Sequence, residues 1–132
     1  MAEDQVTPLI VVDAANVVGS RPDGWWRDRA GATARLRDRL AGLHEQGLRA
    51  GPDWARRPPL EIVLVTEGRA RGVEASDTVG VVEAPGSGDD AIARLVAETT
   101  PHRQCLVVTS DRGLRRRVEA AGGQVTGAGT LA

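Results

Sequence analysis

LIVVDAANVVGS, Leu9 to Ser20, sets four aliphatic residues in a row and then stops on Asp13, with Asn16 three residues further on. A short, fully apolar run rich in β-branched residues suits a strand buried on both faces, the kind found inside a parallel sheet. Ending it on a carboxylate and an amide puts polar groups where the chain leaves the core. The loop after Asp13 gives no clear helix start, so a simple capping role is not evident for this acid.

The same design recurs downstream. LEIVLVTEG, Leu60 to Gly68, is a second aliphatic strand that ends on an acid, Glu67. TVGVVEA, Thr78 to Ala84, reads as a third, short strand, and CLVVTSD, Cys105 to Asp111, as a fourth. QVTGAG, Gln124 to Gly129, supplies a possible fifth. Helices fall between them. The first spans about Ala30 to Gln46, with Leu36, Leu40 and Leu43 at helical spacing and Gly47 as its stop. The segment RAGPDWARRPP, Arg49 to Pro59, is too rich in Pro and Gly to extend that helix and reads as a surface loop. A second helix opens at Asp89 and Asp90 with a stripe of Ile92, Leu95 and Val96. A third carries Leu114, Val118 and Ala121 and stops at Gly122 and Gly123.

Alternating strands and helices predict an α/β fold: a three-layer α/β/α sandwich around a mainly parallel sheet. The chain has 132 residues, which suits a single domain over 1–132. It contains no Phe and no Tyr, so the core is aliphatic. The single Cys105 leaves no partner for an internal disulfide, and no apolar run is long enough for a signal peptide or a membrane span, which points to a cytoplasmic protein. The formal net charge is −1, and all 17 basic residues are Arg. Contacts to nucleic acid must therefore come from local patches.

In parallel sheets ligands bind beyond the carboxyl ends of the strands. Asp13, Glu67 and Asp111 all lie at such ends, and Asp89 and Asp90 open a helix that follows a strand. Taken singly, Asp89, Asp90 and Asp111 are explained as helix caps, and Glu67 as a solvent-facing turn residue. Taken together, carboxylates gathered on one rim repel one another unless a cation is present. An all-oxygen set suits Mg²⁺ or Mn²⁺, whereas His44 and His102 are isolated and no Cys/His arrangement suits zinc. Two divalent ions about 4 Å apart can activate water and stabilise the leaving oxygen of a phosphodiester.

The residues also resemble a known family. VVDAANVVGS (Val11 to Ser20) is similar to the first motif of the PIN-like nucleases, most closely of their NYN branch of bacterial ribonuclease-like proteins. GSGDDAIARLV (Gly86 to Val96) is similar to that family's acidic motif, and LVVTSDRGLRRRV (Leu106 to Val118) to its last. The resemblance runs over nearly the whole chain. It implies a PIN-like fold and a Mg²⁺- or Mn²⁺-dependent endoribonuclease acting on single-stranded or structured RNA. It implies Asp13, Asp90 and Asp111 as the core ligands, with Asp89 as a further ligand or cap. Glu67 is a candidate ligand where the family more often has Asp, and Ala14 stands where the NYN branch usually has Gly. Asn16 would orient Asp13 or a bound water, and Thr109 and Ser110 would bond a ligand carboxylate or the scissile phosphate.

Substrate contacts are sought among the arginines. Arg21, Arg27 and Arg29 flank Trp25 and Trp26, a pairing suited to single-stranded nucleic acid; the competing reading packs the indoles on the following helix as a plug. Arg69, Arg71 and Arg112 follow acids and are candidate phosphate contacts, whereas Arg115, Arg116 and Arg117 read as a solvated helix face. The chain is expected as a monomer or homodimer, and two other functions fit some features: a catalytically weak or inactive RNA- or protein-binding module on this fold, and a magnesium-dependent phosphatase. The last is disfavoured because Asp13 is followed by Ala14 and Ala15 rather than by a second nearby Asp.

Overall fold

The computed structural model describes residues 6–21, 23–70 and 72–131. Five strands, β1 (Leu9–Asp13), β2 (Glu61–Thr66), β3 (Val79–Glu83), β4 (Cys105–Val108) and β5 (Gln124–Thr126), form one sheet in the order β3-β2-β1-β4-β5. Every pairing is parallel, with Leu9 opposite both Glu61 and Cys105. β1 is therefore central, which is why its apolar run is uninterrupted. Ile10, Val11 and Val12 are completely buried, each contributing roughly 1.5–3 kcal/mol through burial.

Alternate residues of β1 serve two cores. Ile10 and Val12 pack with Val17, Leu36 and Leu40 on one side; Leu9 and Val11 pack with Ile92, Val96, Leu114 and Val118 on the other. The first layer is built by α1 (Ala14–Gly19), α2 (Arg29–Arg39) and α3 (Leu43–Gln46), the second by α4 (Gly88–Thr99) and α5 (Arg112–Ala120). The architecture is the expected α/β/α sandwich, with an all-parallel sheet.

Three local expectations change. The helix predicted through Gln46 breaks after Arg39 and resumes for one turn at Leu43. At the break the Ala41 carbonyl accepts a 2.8 Å hydrogen bond from Thr78 Oγ1 and lies 3.1 Å from His44 Nδ1, so side chains occupy it in place of a further helical N–H. The Arg49–Pro59 loop contains a 3₁₀ turn, Asp53–Arg56, that buries Ala55 and sets Trp54 against the first core. Most consequentially, a helix does begin directly after Asp13.

The chain runs from β1 to β2 on one side of the sheet and returns to β4 on the other side of β1. The order thus reverses between β1 and β4, and the carboxyl ends of these two strands flank the crevice that such a reversal opens. Among the described residues, no helix is long and apolar enough to cross a membrane.

Candidate functional site: an acidic rim at the strand ends

Asp13 ends β1 and caps α1. Only 6% exposed, it accepts from the Asn16 backbone N–H through Oδ1 at 3.4 Å and from Thr109 Oγ1 through Oδ2 at 2.9 Å. Thr109 Oγ1 in turn accepts from the Asp111 N–H at 3.2 Å, so one hydroxyl joins the two acids. Asp111 caps α5 through Oδ1, which accepts from Leu114 N–H at 2.9 Å. Asn16 meets Asp13 only through its backbone N–H; its side chain acts across the crevice, Oδ1 accepting from the Ser110 N–H at 2.8 Å. Ser110 Oγ accepts from Ala128 N–H at 3.2 Å and so holds the segment after β5. Asp13, Asn16, Thr109, Ser110 and Asp111 are thus assembled at the carboxyl ends of β1 and β4.

The acidic motif before α4 is arranged differently from the sequence reading. Ser87, not Asp89 or Asp90, caps the helix, accepting from their N–H groups at 3.1 and 3.4 Å. Ser-x-x-Asp ahead of an apolar stripe is a recognisable start signal, and it was available in the sequence. Glu67 crosses from the end of β2 to accept from the Gly88 N–H. A side chain on Gly88 would obstruct that approach, since a Cβ would lie 2.8 Å from Glu67 Oε2.

Helical rotation then separates the adjacent acids. Burial raises the Asp89 carboxyl above its ordinary pKa, and repulsion from Asp111 and Glu67 raises it further. Burial likewise raises Asp13; the bonds from Thr109 and Asn16 oppose the shift, and the charges of Asp89 and Glu67 add to it. Asp13, Glu67, Asp89 and Asp111 therefore share one electrostatic environment. Asp90, expected as a core ligand, instead pairs with Arg117 at 2.9 Å, its side chain 70% exposed. That pairing also gives Arg117 a partner on what was read as a purely solvated face.

The rim's chemistry fits a hard divalent cation: its donors are all oxygen, and burial, with repulsion from neighbouring acids added, lifts two of its carboxyls. As the side chains stand, no three Asp, Glu, His or Cys residues among the described residues are grouped closely enough to hold one ion.

Two pockets flank α1. One, of about 290 Å³, is bounded by Ala15, Val18, Trp25, Arg29, Thr33 and Glu67, among others, and so shares an acid with the rim. Trp25 packs against the first core as the plug reading expected, with the Arg29 guanidinium 5.2 Å from its ring centre. Trp26 is 56% exposed, meets Trp25 edge-on and carries Arg27 at 5.9 Å from its ring. The second pocket, of about 350 Å³, is lined by Val17, Arg21, Leu36, Arg39 and Ser110, among others. Arg21 is thereby separated from the tryptophans with which it was grouped, and Arg39, assigned to a non-core helix face, joins it. Arg112 is exposed at the start of α5; the Arg69 side chain and all of Arg71 lie outside the described residues. A further pocket, about 520 Å³ around Arg49, Arg56 and Arg57, precedes β2 and so lies at the opposite end of the strands from the rim.

No protein-family model and no curated relative matches the sequence. Among solved structures the chain is similar to Rae1 (YacP) from Bacillus subtilis, with a TM-score of 0.72 at 19% identity over 93% of this chain and 70% of that one. A W164L mutant of the same protein gives a TM-score of 0.72 at 18% identity, covering 95% and 72%. The chain shares its fold with Rae1; here that fold is a five-stranded parallel sheet between two layers of helices.

Proposed function

We propose that this protein is a Mg²⁺- or Mn²⁺-dependent endoribonuclease that hydrolyses RNA phosphodiester bonds at the acidic rim. The observation that carries the reading is the shared environment of Asp13, Glu67, Asp89 and Asp111 at the reversal point of a parallel sheet. The likeness of the three acidic motifs to those of the PIN-like nucleases, NYN branch, supports RNA as the polymer.

Asp13, Asp89 and Asp111 would hold the cation, with Glu67 beside them. When bound, the ion would make water a competent nucleophile at neutral pH and neutralise charge on the leaving oxygen. The chain's own residues set the stage. Thr109 orients Asp13 and, through its bond from the Asp111 N–H, the start of α5. Asn16 fixes the Ser110 backbone and leaves its NH₂ group to donate to a substrate or water. Trp25, Trp26, Arg27 and Arg29 offer stacking surfaces and charge on one side of α1 for an unpaired strand, and exposed Arg112 adds charge beside Asp111.

The test is cleavage of end-labelled RNA and DNA in Mg²⁺, Mn²⁺ and EDTA by wild type, Asp13→Asn, Asp89→Asn, Asp90→Asn and Asp111→Asn. Metal-dependent RNA cleavage abolished by the changes at 13, 89 and 111, and weakened only a few-fold by the change at 90, is expected. No cleavage by wild type under any condition rejects the reading. The separation of the carboxylates favours a second reading, an RNA-binding module with weak or no catalysis. RNA binding without cleavage would select it.

A further inference from the structure

We propose that the pocket of Arg21, Arg39 and Ser110 is a phosphate-binding subsite that holds a backbone phosphate of the RNA strand next to the one at the rim. The inference rests on the nuclease reading for its polymer. Its own support is geometric. Arg21 follows α1 and Arg39 ends α2, so two elements deliver guanidinium groups to one concavity of about 350 Å³. The remaining lining is small or apolar, including Val17, Leu36, Ala128 and Leu131, and it contains no carboxylate.

Among the described residues, no carboxylate pairs with either arginine. Arg39 is exposed, as are Arg21 and Ser110, yet partial desolvation and then the charge of Arg21 disfavour its cationic form, Asp23 opposing and Arg35 adding. Two arginines held together in this way gain most from a ligand that presents several anionic oxygens at once. A phosphate does so, and the guanidinium fork matches it with paired hydrogen bonds.

Ser110 gives the pocket its relation to the rim. It lies between Thr109, which bonds Asp13, and Asp111, and its backbone is held by Asn16. Its Oγ accepts from Ala128 N–H, which leaves the hydroxyl proton to donate into the pocket. A strand whose scissile phosphate reaches the carboxylates therefore meets a cationic pocket one residue away along the protein chain. The opposite charges of pocket and rim keep a metal-free phosphate off the acids and on the arginines. Internal phosphates and a terminal 5′-phosphate share this chemistry.

The test measures binding without cleavage. A 3′-labelled single-stranded RNA, with either a 5′-phosphate or a 5′-hydroxyl, is titrated in EDTA at several salt concentrations with wild type, Arg21→Gln, Arg39→Gln and the double variant. Arg49→Gln, at the other end of the strands, is the control. Each pocket change is expected to weaken binding several-fold and to reduce the log–log salt slope by about 0.7, the value for one phosphate contact on a single strand. Loss confined to the 5′-phosphorylated RNA would assign the pocket to a chain end, and equal loss on both RNAs to an internal phosphate; both support it. Unchanged affinity and slope in the double variant would overturn it. If wild type binds no RNA in EDTA, the cleavage assay in Mg²⁺ and Mn²⁺ decides the nuclease reading separately. A melting shift with inorganic pyrophosphate, present in wild type and lost in the double variant, would then still uphold the anion pocket, and its absence would sink it.

Discussion

Thr109 Oγ1 donates a 2.9 Å hydrogen bond to Asp13 Oδ2 across 96 residues of sequence and accepts one from the Asp111 N–H at 3.2 Å. A single buried hydroxyl therefore ties the carboxylate that ends β1 to the backbone of the acid that caps α5.

Thr109→Val keeps the side chain's shape and removes both bonds. The buried Asp13 oxygen then loses its donor, which destabilises the fold by about 1–2 kcal/mol. Cleavage and Mn²⁺ affinity should fall about 10–100-fold, as for other residues that orient a metal ligand. Calorimetric Mn²⁺ titration beside cleavage rates checks this; unchanged affinity would mean that Thr109 only packs.

Asp13→Asn separates stability from function. The Asp13 carboxyl lies above its ordinary value of 3.8 because it is buried. Stability from a group raised in the folded state is complete below the unfolded value and is lost as pH rises through the folded one. At pH 7 the metal-free protein therefore holds an unfavourable buried charge, and Asn, an equally good helix cap, does not. The variant should cleave nothing yet melt higher than wild type in EDTA at pH 7, and the gap should narrow as pH falls towards 4. Thermal melts across that range decide it: a variant less stable than wild type at pH 7 contradicts the account.

Gly88→Ala tests the approach of Glu67 to α4. Helix propensity alone favours Ala, yet its Cβ would sit 2.8 Å from Glu67 Oε2. Oε2 is the free end of a flexible side chain and can swing aside, so the substitution should change stability by less than about 0.5 kcal/mol, while Glu67→Ala should cost less in the Gly88→Ala background than in wild type. A double-mutant cycle measures the coupling, and additive effects would refute the contact.

Trp25 and Trp26 divide the aromatic roles. Trp25→Ala removes a side chain packed on the core and should destabilise by about 2 kcal/mol. Trp26→Ala should leave stability within about 0.5 kcal/mol while weakening single-stranded RNA binding at least about fivefold, the effect of losing one stacked base. Melting curves and RNA titrations on both variants distinguish stacking from packing.

Several features escaped the sequence for identifiable reasons. α1 has six residues and two β-branched valines, so its local helical signal is weak; burial of Val17 and Val18 in the first core sustains it. The break after Arg39 depends on Thr78, 37 residues away, reaching the Ala41 carbonyl. Arg21 was grouped with Trp25 by proximity in sequence, but the two line different pockets beside α1.

The sequence by itself determined the parallel sheet, the burial of β1 and the placing of acids at strand ends. Those follow from the length of apolar runs and the order of elements along the chain. Only the tertiary structure decided that Asp90 pairs with Arg117 while Asp89 lies within the field of Glu67 and Asp111, and that Arg39 meets Arg21. Successive helical residues point about 100° apart, so which neighbour faces the rim depends on how α4 is seated against the sheet, by Ile92 and Val96 packed on Leu9 and Val11.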